Sequence, residues 1–151
     1  MAKPLDKIDR SIIDLLERDA RASLAQIGKT VGLTGPAVGE RLRRMRDSGQ
    51  LGGFVARVDL AALGYPIQAL VRVKPHSGQL WAVERMIRDE RRFVSCDRVT
   101  GDDCYVARLV LAELAELDEI LSALHERAET TTSLVKSSIF ADRLPPPKPS
   151  V

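Results

Sequence analysis

The sequence predicts an α+β chain in two parts: a three-helix helix-turn-helix over residues 1–50, and a ferredoxin-like βαββαβ domain over residues 67–141. Three observations carry this. In the first fifty residues, apolar side chains recur at helical spacing in three short runs separated by turn residues. From residue 67 onward, strand-like and helical runs follow in the order β-α-β-β-α-β, the split βαβ unit whose antiparallel sheet carries both helices on one face. Between the two lies a segment, 51–66, broken by Gly52-Gly53 and Gly64-Tyr65-Pro66 and expected to form a hinge strand and linker.

Ile8, Ile12, Leu15 and Leu16 form the stripe of an amphipathic first helix, which Asp6 is placed to cap. Ser23-Leu24-Ala25-Gln26 has the form of a capping box, and Ile27 and Val31 continue one face until Gly32, so the second helix spans about 23–31. Thr34 is a second N-cap, and Pro36 is tolerated in a first turn, where its missing N–H had no helical partner. Val38, Leu42 and Met45 then run at i, i+4 and i+7 toward Gly49, giving a third helix over 35–48. In the hinge, Phe54, Ala56, Val58 and Leu60 alternate with Val55, Arg57 and Asp59 as a strand would. Beyond it the pattern reads strand 68–74, helix 79–89 resting on Leu80, Val83 and Ile87, strand 93–100 and strand 104–112. A helix over 114–127, resting on Leu114, Leu117, Leu121 and Leu124, and a strand over 131–140 complete the domain. The sheet face away from the helices needs a cover, and a second subunit is the simplest one. The tail, 142–151, is proline-rich and expected to be disordered.

Composition excludes several classes. The chain of 151 residues is 44% hydrophobic, enough for packed cores, with no apolar run near the roughly 20 residues that span a bilayer and no signal-peptide stretch. A cytoplasmic protein without membrane contact is expected. Cys96 and Cys104 are too few for a disulfide framework and, with His76 and His125, match no zinc spacing, so neither metal nor cofactor is expected; both cysteines are expected to be buried free thiols. No nucleophile, base and orienting group can be assembled, so no catalytic residue is named and the chain is not expected to be an enzyme.

Charge is uneven. Residues 1–50 carry 10 basic and 7 acidic side chains, a balance of +3, against −1 in the remainder. Arg41, Arg43, Arg44 and Arg46 make most of that density, and such a run is by itself as compatible with a solvated helix face as with a binding surface. Position favours the second. With Val38, Leu42 and Met45 inward, the helical period turns Pro36, Gly39, Glu40, Arg43 and Arg44 outward, with Arg41 and Arg46 flanking and Thr34 at the N-cap. One helix fits the major groove of double-stranded DNA, its N-terminal residues at base edges and flanking arginines at phosphates. Pro36 and Gly39 offer no hydrogen-bonding side chain, so direct readout is expected from Glu40, Arg43 and Arg41. The alternative is a small-molecule-binding assembly protein whose helix-turn-helix reads no DNA.

Taken together, Leu5-Asp6-Lys7-Ile8-Asp9-Arg10, Val31-Gly32-Leu33-Thr34, Val38 with Arg41-Leu42, Gly49 to Gly53, and Val99-Thr100-Gly101-Asp102 resemble the Lrp/AsnC family of leucine-responsive or feast/famine regulators over nearly the whole chain, from about Leu5 to Phe140. The resemblance implies a transcription regulator that binds pseudo-palindromic DNA. It further implies a homo-oligomer, built from dimers that assemble to tetramers or octamers, and an amino-acid effector held between ferredoxin-like domains. It places the effector near Thr100, Gly101, Asp102, Asp103 and Cys104, with Arg108 or the Gly101 backbone for a carboxylate and Asp102 or Asp103 for an ammonium. Many members have an aromatic residue where this chain has Asp103 and an aspartate where it has Cys104, so the acidic group is displaced to the other side of the strand. Read from its residues alone, Gly101-Asp102 is equally a hairpin turn. The hydroxyl-rich run Thr130-Thr131-Thr132-Ser133 reads more readily as a polar strand edge than as a ligand wall.

Overall fold

The computed structural model describes residues 4–140 together with Leu144 and Pro145. It divides the chain into two compact units, with the division between Ala56 and Arg57, inside the 51–66 segment. Most of the expected tail, 142–151, lies outside the described residues.

The first unit contains α1 (Lys7–Arg18), α2 (Leu24–Val31) and α3 (Gly35–Asp47). Each begins at the residue chosen from its capping chemistry. The Asp6 side chain accepts from the Asp9 N–H at 2.8 Å while Asp9 accepts back from the Asp6 N–H, and Ser23 and Gln26 make the same reciprocal pair. Thr34 accepts from the Ala37 N–H with Pro36 in the first turn. These contacts satisfy N–H groups that a helix start leaves without a partner. Gly32 ends α2 at φ 73°, a left-handed conformation that costs glycine little. Ile12, Leu16, Ile27, Val38 and Met45 form the buried core, with Leu42 partly buried against it.

No strand forms over Phe54–Leu60; the alternation there predicted one, and the structure corrects it. A strand needs a neighbouring edge to take its backbone N–H and C=O groups, and no other described segment pairs with this one. Phe54, Val55 and Val58 are exposed instead.

The second unit runs β1 (Ile67–Pro75), α4 (Leu80–Asp89), β2 (Phe93–Arg98), β3 (Tyr105–Leu111), α5 (Ala115–His125) and β4 (Ala128–Leu134). The sheet order is β2-β3-β1-β4, antiparallel throughout, with Val71 opposite Ala107 on one side and Thr132 on the other. The helix-facing residues Ala69, Val71, Val73, Tyr105, Leu109 and Leu111 pack with Val83, Ile87, Ile120, Leu121 and Leu124. Leu114, expected to support α5, is instead its N-cap and exposed. β4 also differs: it covers 128–134, not 131–140. Arg127 closes the turn to Leu124 and Ala128 pairs at once with Pro75, so the partner strand sets where β4 begins; the last pair is Leu134 with Ala69. β4 is an outer strand, in keeping with its hydroxyl-rich surface. The sheet face away from the helices is mixed rather than apolar: Leu70 and Val106 stand among Gln68, Arg72, Lys74 and Arg108.

Candidate nucleic-acid interface

Burial of Val38 and Met45 fixes which side of α3 is open. Thr34, Pro36, Glu40, Arg43 and Arg46 are exposed, and Gly39 is half-buried where the Leu24 side chain of α2 reaches over it. Pro36, Glu40, Arg43 and Asp47 recur at i, i+4, i+7 and i+11, one straight stripe along the helix. Arg43 donates to Glu40 within that stripe, and its guanidinium holds the Glu40 carboxyl below the usual carboxylate range. Both are exposed, so water and salt weaken the pair and leave Arg43 available to a phosphate or a base edge.

Arg41 and Arg44 depart from the expectation. Arg41 Nη1 lies 2.6 Å from Asp6 Oδ2 and 2.8 Å from Asp9 Oδ1, while Arg44 Nη2 donates to both Asp9 oxygens, at 2.9 and 2.7 Å. The carboxylates belong to α1, so these two guanidinium groups are turned from the open side onto the first helix. Arg41 holds the Asp6 carboxyl down at about 2.

The effector candidates fall at the β2–β3 turn. Val99 N–H to Cys104 O, 2.9 Å, closes it, and Gly101 adopts φ 116°, where a side chain would be strained. Cys104 donates its N–H to Val73 O and packs against the apolar core, while Asp103 comes to 4.0 Å of Arg72 Nε. Cys104 thus faces the core and Asp103 faces Arg72, although both lie in the turn before β3. Thr100 and Asp102 are exposed beside Gly101. Arg108 is not brought to this turn: from the middle of β3 its Nη1 reaches Gln68 Oε1 at 3.1 Å.

Both parts of the chain match family models: an AsnC-type helix-turn-helix domain over residues 5–46, and an Lrp/AsnC ligand-binding domain over residues 68–145. The chain belongs to the Lrp/AsnC family. The HTH-type transcriptional regulator FL11 of Pyrococcus horikoshii is 35% identical over 121 residues, covering 80% of this chain and 80% of that one. The structure of Bacillus subtilis LrpC superposes with a TM-score of 0.86 at 26% identity, covering 93% of this chain and 100% of that one. The feast or famine regulatory protein of Mycobacterium tuberculosis, complexed with L-methionine, gives 0.86 at 27% identity, covering 95% and 100%. This Lrp/AsnC chain is accordingly a DNA-binding transcriptional regulator with a ligand-binding domain. No helix among the described residues is long and apolar enough to cross a membrane.

Sequence reasoning missed three features of this Lrp/AsnC chain. Asp9 is buried, 2% exposed, and anchors both arginines; its only signal was an acidic residue on the inner side of an amphipathic helix. Gly28 is buried in α2, where an added Cβ would lie 2.4 Å from Leu33 O, so the turn into α3 passes too close for any side chain. Its signal was a glycine inside a helical pattern, which usually has a packing reason. The third is an open groove between α4 and the β2 edge, lined by Glu84, Phe93, Ser95, Cys96, Arg98 and Tyr105. There Arg98 pairs with Glu84 and stands 5.7 Å from the ring centres of both Trp81 and Tyr105. Cys96, expected to be buried, is exposed on this edge strand, although local packing still pushes its thiol up from the ordinary value.

Proposed function

We propose that this regulator reads double-stranded DNA with the open side of α3, placing Thr34, Pro36, Gly39, Glu40, Arg43 and Arg46 against the major groove. Arg41 and Arg44 stand behind that surface in ion pairs with α1. The observation that carries the reading is the exposed stripe of Pro36, Glu40 and Arg43 opposite the buried Val38 and Met45. A helix presented this way reaches base edges with its first turns, and Arg43 and Arg46 supply charge for phosphates.

The effector in this reading is an amino acid. Support comes from the L-methionine complex of the M. tuberculosis relative and from the β2–β3 turn, where Thr100, Gly101, Asp102 and Asp103 offer backbone N–H groups and carboxylates of the kind that zwitterion needs, beside Cys104, whose own N–H is given to Val73 O. Asp103 and Arg72 supply one acidic and one basic group within 4.0 Å of each other, while Arg108 stands farther along the strand. The working particle in this reading is a homo-oligomer. Its support is the exposed apolar segment Phe54, Val55 and Val58 and the family itself.

The test is a titration of duplexes from the chain's own promoter region. Arg43→Ala combined with Arg46→Ala is expected to weaken binding at least tenfold and to lower the log–log salt slope by up to about 2, roughly 0.9 per lost phosphate contact. Unchanged affinity would remove α3 as the reader. The same titration with L-methionine present is expected to shift the wild-type curve; no shift with methionine or any other amino acid would remove the effector reading.

A further inference from the structure

Asp9 is the one charged residue buried among the described residues. Such a carboxylate is costly to bury unless ionised partners surround it, and here both oxygens are taken by the Asp6 N–H and by two guanidinium groups from α3. Arg44 follows Arg43 by one residue, so it borders the exposed stripe of α3, and its side chain is 40% exposed; Arg41 lies deeper, at 23%. An arginine at the border of a DNA-reading face has phosphates within reach. In this structure Arg44 is folded back onto Asp9 in a two-oxygen contact, and Arg41 onto Asp6 and Asp9. Two carboxylates therefore neutralise two of the four positive charges in the densest basic run of the chain.

We infer that Asp9, assisted by Asp6, is a positioning residue that withholds Arg44 and Arg41 from DNA phosphates, restraining sequence-independent affinity so that the exposed stripe decides which site is bound. The inference rests on α3 being the reading helix. Phosphate contacts add affinity to every sequence alike, and only base-edge contacts discriminate. A regulator that spends all four arginines on phosphates gains binding everywhere and loses its ratio of cognate to random affinity. A purely structural Asp9 would hold α1 against α3 but leave the salt dependence alone, which makes salt the discriminating readout.

The experiment uses the full-length chain, with a promoter duplex and a scrambled duplex of equal length, between 50 and 200 mM salt. Asp9→Asn is expected to bind the scrambled duplex several-fold more tightly, with a slope steeper by about 1, so that the ratio between duplexes falls. Adding Arg44→Ala to Asp9→Asn is expected to remove the added slope. An unaltered slope in Asp9→Asn, or a parallel loss of affinity for both duplexes, overturns the inference. Should Asp9→Asn not fold, the wild type still decides. The side-chain Nε–H resonances of Arg43 and Arg46 are expected to shift on adding promoter duplex while those of Arg41 and Arg44 stay, and large shifts at Arg41 and Arg44 overturn it. If Arg43→Ala with Arg46→Ala leaves affinity intact, the reading of α3 has failed; if that variant loses affinity and Asp9→Asn keeps the wild-type slope, only the withholding role has.

Discussion

Asp6 does two jobs with one carboxyl: it caps α1 and it holds Arg41. The second depends on charge, and this gives the N-terminal unit a defined response to acid. Arg41 lowers the folded-state Asp6 pKa from 3.8 to about 2, so the contribution is complete above pH 3.8 and is lost as pH falls toward 2. The Asp6 side chain is 41% exposed, so solvent screening keeps the effect below about 1 kcal/mol. Asp6→Asn keeps the cap and removes the charge. In denaturant melts between pH 5 and pH 2, the wild type is expected to lose more stability than this variant across that window; identical profiles would show that the ion pair contributes nothing. The Glu40, Glu84 and Glu90 carboxyls are also lowered by arginine partners and act in the same direction.

Among elements, the α2–α3 turn is tightly constrained at Gly28. Leu33 donates its N–H to Gly28 O at 2.8 Å, which draws the turn back across α2 and leaves no room at the Gly28 Cα. Alanine at a free helical position would gain about 1 kcal/mol in propensity. Here it must displace backbone, so Gly28→Ala is expected to destabilise the N-terminal unit by about 1–3 kcal/mol and to weaken DNA binding by tilting α3. A chemical-denaturation midpoint equal to that of wild type would contradict the close approach. The β-elements show the opposite dependence, on partners rather than on local crowding. β4 begins three residues earlier than its β-branched run suggests because Ala128 already lies opposite Pro75, and the 54–60 segment alternates correctly without forming a strand.

At the scale of the molecule, two small cores and exposed apolar residues between them raise the question of assembly. Phe54 and Val58 are 54% and 57% exposed, and a segment patterned for pairing is a natural site for a second chain. Under the oligomeric reading, stability is tied to subunit concentration. The melting temperature is expected to rise with protein concentration, and Phe54→Asp with Val58→Asp is expected to shift sedimentation toward the monomer and to flatten that rise. A melting temperature independent of concentration, with an unchanged sedimentation profile in the variant, would contradict it.

Helix positions, caps and the order of the βαββαβ unit were legible in the sequence, because they follow from local rules: a side chain of Asp, Ser or Thr beside orphan N–H groups, and the periods of a helix and a strand. The open stripe of α3 was legible for the same reason. What Arg41 and Arg44 bind, where β4 starts and why Gly28 has no side chain were decided by tertiary structure, since each depends on a group outside its own element: Asp9 on α1, Pro75 on β1 and the backbone of the turn that follows α2. Periodicity says which way a side chain leaves its own helix. It carries no information about the carboxylate that another helix brings to meet it.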